Sequence, residues 1–122
     1  MKFICIDVDS HGHSFFKDIE LPQTGVPQRI SSKNQDVVYW KMAVSQPGYA
    51  TDFERATDLK VLAIFSGQMN VTVSSGETRH FVRGDMLTTW DTTGQGHITR
   101  VVGTEPCTVL HMAVKDKGTF SG

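Results

Sequence analysis

Cysteine, proline and tryptophan are scarce in this sequence of 122 residues, and neither sign of charge is in excess. Cys5 and Cys107 each lie in an alternating apolar segment, a pattern that favours buried free thiols over a disulfide. Lysine and arginine together number 12 against 13 aspartates and glutamates, which gives a formal net charge of -1. Proteins that bind nucleic acid usually carry clustered positive charge, so we expect no nucleic-acid partner.

Long apolar runs are also missing. No stretch approaches the roughly 20 apolar residues that a membrane helix needs, so we expect no membrane partner. The start, MKFICIDVD, alternates and then turns acidic, whereas a secretory signal has a basic end followed by an apolar run. We therefore expect a cytoplasmic protein.

What the sequence does contain is β-forming segments at short intervals. They are rich in valine, isoleucine, phenylalanine and threonine, glycine and polar residues separate them, and no stretch keeps a 3.6-residue apolar period over three turns. The pattern predicts one all-β domain over residues 1–115, folded as a sandwich or barrel. The predicted strands span residues 2–6, 14–21, 37–44, 49–54, 59–66, 68–74, 77–82, 85–90, 97–102 and 108–114.

Glycine, proline and polar clusters mark the connections between these strands. The stretch SSGE (74–77) predicts a tight hairpin, and we interpret GQG (94–96) as a second hairpin tip. Residues 22–36 lack apolar periodicity and are predicted to form one long loop. Residues 116–122 are predicted to be a flexible, solvent-exposed tail.

The stretch FSGQMNVTVSSGETRHFVRGDML (65–87) resembles the centre of a cupin domain. The flanking segments GHSFFKDIEL and DTTGQGHITRVVG are similar to those of small, single-domain bacterial cupins, most of them without an assigned function. The resemblance implies a double-stranded β-helix, or jelly-roll barrel. It also implies a homodimer formed through the outer sheet and the N-terminal strand, to which Ile98, Val102 and the apolar start of the chain would contribute.

The resemblance assigns the four cupin metal-ligand positions to Glu54, Ala56, Lys60 and His97. Only His97 matches the family in kind. A transition metal needs three or four converging ligands, and the ammonium group of Lys60 would repel it. We therefore expect no metal and no other cofactor. A lesser alternative is a metal-dependent cupin in which an irregular set around Glu54 and His97 holds the ion, with Asp52, Asp58 or His111 recruited.

The cupin register turns Glu54, Lys60 and His97 into the barrel lumen. An acid, an amine and an imidazole in an apolar pocket form a set suited to acid–base chemistry. We predict that His97 transfers the proton, Glu54 orients it or acts as a second base, and Lys60 binds an anionic or carbonyl oxygen. The substrate would be a small polar molecule and the reaction an isomerisation or a lyase step. The residues predicted to line its binding site are Trp40, Met42, Leu62, Trp90 and His111.

A non-catalytic interpretation stands beside this one. Glu54 and Lys60 could form an ion pair that fills an inherited lumen, with His97 hydrogen-bonded and inert, in a ligand-binding or sensory cupin. The two interpretations differ in whether the three side chains converge on an open pocket. His80 and the HGH stretch (11–13) are predicted to be solvent-exposed.

Overall fold

The computed structural model describes residues 1–121 and has eleven strands within that range. No helix among these residues is long and apolar enough to span a membrane. The strands are β1 (Lys2–Val8), β2 (Ser14–Glu20), β3 (Thr24–Val26), β4 (Arg29–Ser31), β5 (Val37–Ser45), β6 (Lys60–Ser66), β7 (Gln68–Val73), β8 (Thr78–Val82), β9 (Met86–Thr89), β10 (His97–Val102) and β11 (Cys107–Val114).

The strands form two sheets that face each other and one separate hairpin. The large sheet has the order β2-β1-β9-β6-β11-β5, and the small sheet has the order β10-β7-β8. Two isolated bridges, Ala50 with Arg100 and Glu54 with His97, add residues 49–54 beside β10 as an irregular fourth member of the small sheet. This arrangement is a jelly roll, so the predicted all-β fold class is confirmed.

Apolar side chains are buried on both faces of the large sheet. The main core lies between the two sheets, and a second cluster that includes Phe3, Ile19 and Trp90 covers the opposite face. Cys5 and Cys107 are both buried and free, one in each cluster, as the alternation predicts. Burial raises the pKa of the Cys5 thiol to about 11.

One predicted strand and two predicted connections differ in the structure. Residues 49–54 form no regular strand, because they advance four residues between the two bridges while β10 advances three, and the extra residue interrupts the ladder. Within the predicted loop 22–36, β3 and β4 pair as a short hairpin. The GQG stretch is not a hairpin tip: β9 belongs to the large sheet and β10 to the small one, so residues 90–96 cross between the sheets. The SSGE hairpin does join β7 to β8.

The C-terminal segment contributes an aromatic ring to the second cluster. Phe120 packs edge-on against Phe3 and Trp90, with ring centroids 5.1 and 5.9 Å apart. Ser121 forms a backbone bridge with Glu20. Phe120 is therefore half-buried and not solvent-exposed as predicted, because packing of its ring favours docking of the segment, whereas residues 115–118 and Ser121 are exposed.

The exposed apolar surface lies on a different strand from the one expected. In β1, Phe3, Cys5 and Ile6 are buried within the single chain, so the apolar start is not an interface that a monomer would leave open. Instead β5, at the edge of the large sheet, exposes Trp40 and its alternate neighbours on the outer face. A homodimer stays a prediction, with β5 rather than β1 as its most apolar surface.

Candidate functional site

A cavity of about 370 Å³ lies between the two sheets. Its inner part is lined by apolar side chains of the main core, among them Leu62, Val71 and Leu87. Its polar lining includes six charged or imidazole side chains. They are Lys41, Glu54, Arg55, Lys60, His97 and His111.

His97 is positioned by the loop that crosses between the sheets. Gly94 and Gly96 both have φ of +79°, a conformation that other residues rarely adopt. Gly96 packs so closely that a Cβ atom there would lie 2.2 Å from the carbonyl carbon of Glu54. The Ser14 hydroxyl donates a hydrogen bond of 2.6 Å to the Gly96 carbonyl. The backbone of Gly96, directly before His97, is therefore held in place by Glu54 on one side and by Ser14 on the other.

The imidazole of His97 contacts a carboxylate that the sequence analysis did not single out. Nδ1 of His97 lies 2.5 Å from Oδ2 of Asp91. The Asp91 side chain is 0% exposed and that of His97 is 13% exposed. A carboxylate oxygen accepts hydrogen bonds, so this contact assigns the ring hydrogen to Nδ1. Nε2 is then the ring nitrogen that can accept a proton.

Glu54 is the residue directly opposite His97 in the small sheet. Their backbones exchange two hydrogen bonds, of 2.9 and 3.0 Å. In an antiparallel pair of this kind the two side chains share a face, and both line the cavity. Glu54 is exposed, however, and no side-chain hydrogen bond joins it to His97 within residues 1–121. Asp91, not Glu54, therefore takes the orienting position.

The predicted ion pair between Glu54 and Lys60 is not formed among the described residues. Glu54 lies beside β10 in the small sheet, whereas Lys60 begins β6 in the large sheet. The two side chains therefore approach the cavity from opposite walls. The interpretation of a lumen filled by this pair is wrong.

Three nitrogen-bearing side chains lie on the wall formed by the large sheet. His111 of β11 is opposite Lys41 of β5 and Leu62 of β6, and Lys60 lies along the same side of β6. Burial, together with the positive charge of Lys41, lowers the pKa of Lys60. Burial and the charges of Lys60 and Lys41 lower the pKa of His111 to about 4, so its ring is neutral at neutral pH.

Of the five predicted substrate-binding residues, the structure places Leu62 and His111 at the cavity. Trp40 and Met42 are 66% and 42% exposed on the outer face of β5, so the prediction that they line the lumen is wrong. The inner face of β5 carries Lys41 and the small residues that follow it at alternate positions. Trp90 is buried, but in the second cluster on the far side of the large sheet.

The donor set at the cupin metal position does not fit a transition metal. Lys60 and Ala56 occupy two of its four positions, and neither is a ligand of the usual kind. In the part of the chain that the structure describes, no three histidine, cysteine, aspartate or glutamate side chains converge as a metal site requires. Oδ2 of Asp91 is directed at Nδ1 of His97, and its Oδ1 atom is buried without a hydrogen-bond partner among the described residues.

The environment of His111 makes the stability of the fold sensitive to acid. Its pKa is about 4 in the folded chain against an ordinary 6.5, so the unfolded chain binds the proton more readily between these values. The contribution of neutral His111 to the free energy of unfolding is complete above pH 6.5 and is lost as the pH falls towards 4. We expect the free energy of unfolding, measured in urea across this range, to fall less steeply in His111→Gln than in the wild type. The exposed His80, replaced in the same way, is the control, and parallel profiles for all three proteins would contradict this assignment.

Sequence reasoning missed two residues of this site, Lys41 and Asp91. Alternation along β5 did contain the signal for Lys41, because residues 41, 43 and 45 are polar or small while their neighbours are apolar. Asp91 carried no such signal. It lies six residues before His97 and outside any strand, and only the course of the crossing loop brings the two together.

Comparison with known proteins identifies the fold. No family model and no curated protein matches the chain. A conserved protein of unknown function from Streptococcus pyogenes is 16% identical with a TM-score of 0.53, over 71% of this chain and 72% of that one. A double-stranded β-helix protein from Klebsiella pneumoniae has the same identity and TM-score, over 72% of this chain and 81% of that one. A protein from Neisseria meningitidis is 15% identical with a TM-score of 0.50, over 68% and 84% of the two chains. At these identities the likeness shows the fold alone, and that fold is a double-stranded β-helix.

Proposed function

We propose that this protein is a metal-independent enzyme of isomerase or lyase type that acts on a small polar molecule in the barrel lumen. His97 is its proton carrier. The observation that carries the proposal is the contact between Nδ1 of His97 and the fully buried carboxylate of Asp91, 2.5 Å apart beside an open cavity. A buried aspartate behind an imidazole is a common way to fix the orientation and tautomer of a catalytic base.

The tautomer decides which nitrogen does the chemistry. With the hydrogen of Nδ1 held by Asp91, the lone pair of Nε2 is free to take a proton from a ligand. When the ring gains that proton, the negative charge of Asp91 lies next to the new positive charge and stabilises it. The pair therefore supports proton uptake and release without any further group.

The simplest reaction that this arrangement supports is proton transfer next to a carbonyl group. Nε2 removes a proton from the carbon atom, the electrons of the broken C–H bond form a C=C bond, and the π electrons of the C=O bond move to the oxygen to give an enolate. The protonated ring then returns a proton to a neighbouring atom of the enolate, which completes an isomerisation. In a lyase step the enolate instead re-forms the C=O bond and expels a leaving group from the adjacent carbon, and the leaving group takes the proton from the ring. Neither route needs a co-reactant.

Lys60 and the apolar lining support this chemistry. An ammonium group in a partly buried pocket stabilises negative charge on an oxygen more strongly than it would in water. Lys60 lines the same cavity as His97, from the opposite wall. The cavity, at about 370 Å³, is near the lower end of the usual range for small-molecule sites, which favours a small substrate.

Hydrogen exchange provides a test that does not require the natural substrate. The protein is incubated in D2O with a panel of small hydroxy-carbonyl compounds and hydroxy acids, and proton NMR follows the C–H signals next to each carbonyl. We expect at least one compound to lose such a signal or to form an alkene only when the protein is present. His80→Asn, a change of an exposed histidine that contacts Asn70, should leave the rate unchanged. Binding of panel compounds in the cavity without exchange or elimination would contradict the proposal and leave ligand binding as the function.

A further inference from the structure

The wall opposite His97 has the composition of an anion-binding surface. Lys41, Lys60 and His111 come from three adjacent strands, with β11 in the middle, and all three line the cavity. Their nitrogen atoms therefore approach one region of the lumen from neighbouring positions. Lysine supplies donors and positive charge, and a neutral imidazole supplies one donor and one acceptor.

No ion pair within the described chain neutralises the positive charge on this wall. Neither Lys41 nor Lys60 forms an ion pair among residues 1–121. Asp58 is the acid whose charge acts on Lys60, but its carboxylate accepts hydrogen bonds from the hydroxyl of Tyr39, at 2.6 Å, and from that of Thr57, at 3.3 Å. Asp58 does not line the cavity. Two lysines thus face the lumen without a carboxylate partner of their own.

His111 adds hydrogen-bonding capacity to the same wall. Its Nδ1 atom is buried and has no hydrogen-bond partner within residues 1–121, whereas the residue as a whole lines the cavity. Buried polar atoms are nearly always paired, so the hydrogen bonding of this ring is incomplete. An oxygen atom that bridges Lys41 and Lys60 would lie on the same wall as this ring.

The rest of the cavity limits what the anion can be. Beyond the polar wall the lining is apolar, with Met69, Val71, Val101 and Val109 among its residues. The volume of about 370 Å³ suits a short carbon skeleton more than a nucleotide-sized group. We propose that the ligand is a small organic acid whose carboxylate is bound by Lys41, Lys60 and His111 while its carbon skeleton faces His97. The assignment of His97 to the reacting carbon rests on the proposed function; the anion site does not.

Acids and their methyl esters provide matched probes of this site. Lactate, pyruvate and succinate are titrated against protein labelled with 15N in histidine, and the methyl ester of each acid is titrated in parallel. Changes in the ring signals of His111 show whether the wall is occupied. We expect at least one acid to bind about tenfold or more tightly than its ester, since charge-assisted hydrogen bonds contribute roughly that much. Lys41→Met and Lys60→Met should each weaken binding of the acid by about tenfold or more and leave the affinity for the ester unchanged. Lys115→Met, an exposed lysine after β11, is the control.

The outcomes separate this inference from the proposed function. Equal affinity for acids and esters, no binding of any acid, or binding of inorganic phosphate in preference to the acids would overturn the carboxylate site. Exchange of neutral compounds could still occur in each of these cases. Conversely, acid binding that depends on Lys41 and Lys60, together with no exchange of any compound, would keep the anion site and remove the catalytic proposal.

Discussion

His97→Asn is expected to slow proton exchange by about a thousandfold, which is near the middle of the range of rate enhancements for general acid–base catalysis. The amide has no nitrogen that accepts a proton at neutral pH, so the base is lost. It can still donate a hydrogen bond to Asp91, which keeps the buried carboxylate partnered. The measurement is the initial exchange rate by NMR, with thermal unfolding to verify that the variant is folded.

Asp91→Asn should produce a similar loss through a different cause. An asparagine amide at that position can donate to Nδ1, which places the ring hydrogen on Nε2 and removes the lone pair that faces the ligand. A reversed tautomer of this kind costs on the order of a thousandfold or more in rate. The variant should also be no less stable than the wild type, because it removes a buried charge. Full activity in Asp91→Asn would show that the imidazole does not depend on this carboxylate.

Gly96→Ala is expected to cause the largest loss of stability among single methyl additions near the site. At a φ of +79° an alanine is strained by about 1–2 kcal/mol. Its Cβ would also lie 2.2 Å from the carbonyl carbon of Glu54 and 2.5 Å from the backbone nitrogen of Arg55, and neither atom can move without disturbing the bridge to His97. We expect a total loss of about 3 kcal/mol or more, with exchange activity reduced even where the chain folds.

Gly84→Ala is the matched control for this prediction. Gly84 has a similar φ of +92°, but a Cβ there would meet no atom within 4 Å. Gly84→Ala should lose only the stability that corresponds to the backbone strain, and the candidate site of this variant should remain active. Urea unfolding of the two variants measures the difference, and equal losses would mean that the backbone around Glu54 yields easily to the added methyl group.

The inward faces of two segments, β10 and β6, could be predicted from strand alternation together with the cupin resemblance. His97, Thr99 and Val101 alternate with exposed or half-buried residues on β10, and Lys60 shares a side with Leu62 on β6. The cupin resemblance then fixed which side faced the lumen. These strands followed from alternation and turn chemistry, and the barrel followed from the resemblance.

β5 and the crossing loop could not be predicted in the same way. In β5 the larger apolar residues, Trp40 among them, lie on the outer face, so the usual assumption that apolar side chains point inward selects the wrong side. Asp91 and Trp90 are adjacent in sequence, yet Asp91 contacts His97 while Trp90 packs in the second cluster. That divergence depends on how the loop leaves the large sheet, which no local pattern encodes.

The hydrogen bond from Ser14 to the Gly96 carbonyl bears on the order in which the protein assembles. It joins residues 82 positions apart in sequence. Ser14 and Ser74 also exchange backbone-to-side-chain hydrogen bonds of 2.7 and 2.8 Å across 60 positions. Contacts between such distant parts of a chain form only after the intervening segments have closed, which makes them slow and late in folding. The imidazole of His97 should therefore reach its final orientation only when the whole barrel has closed. A partly folded or shortened chain should lack a correctly positioned imidazole even where most of its strands have formed.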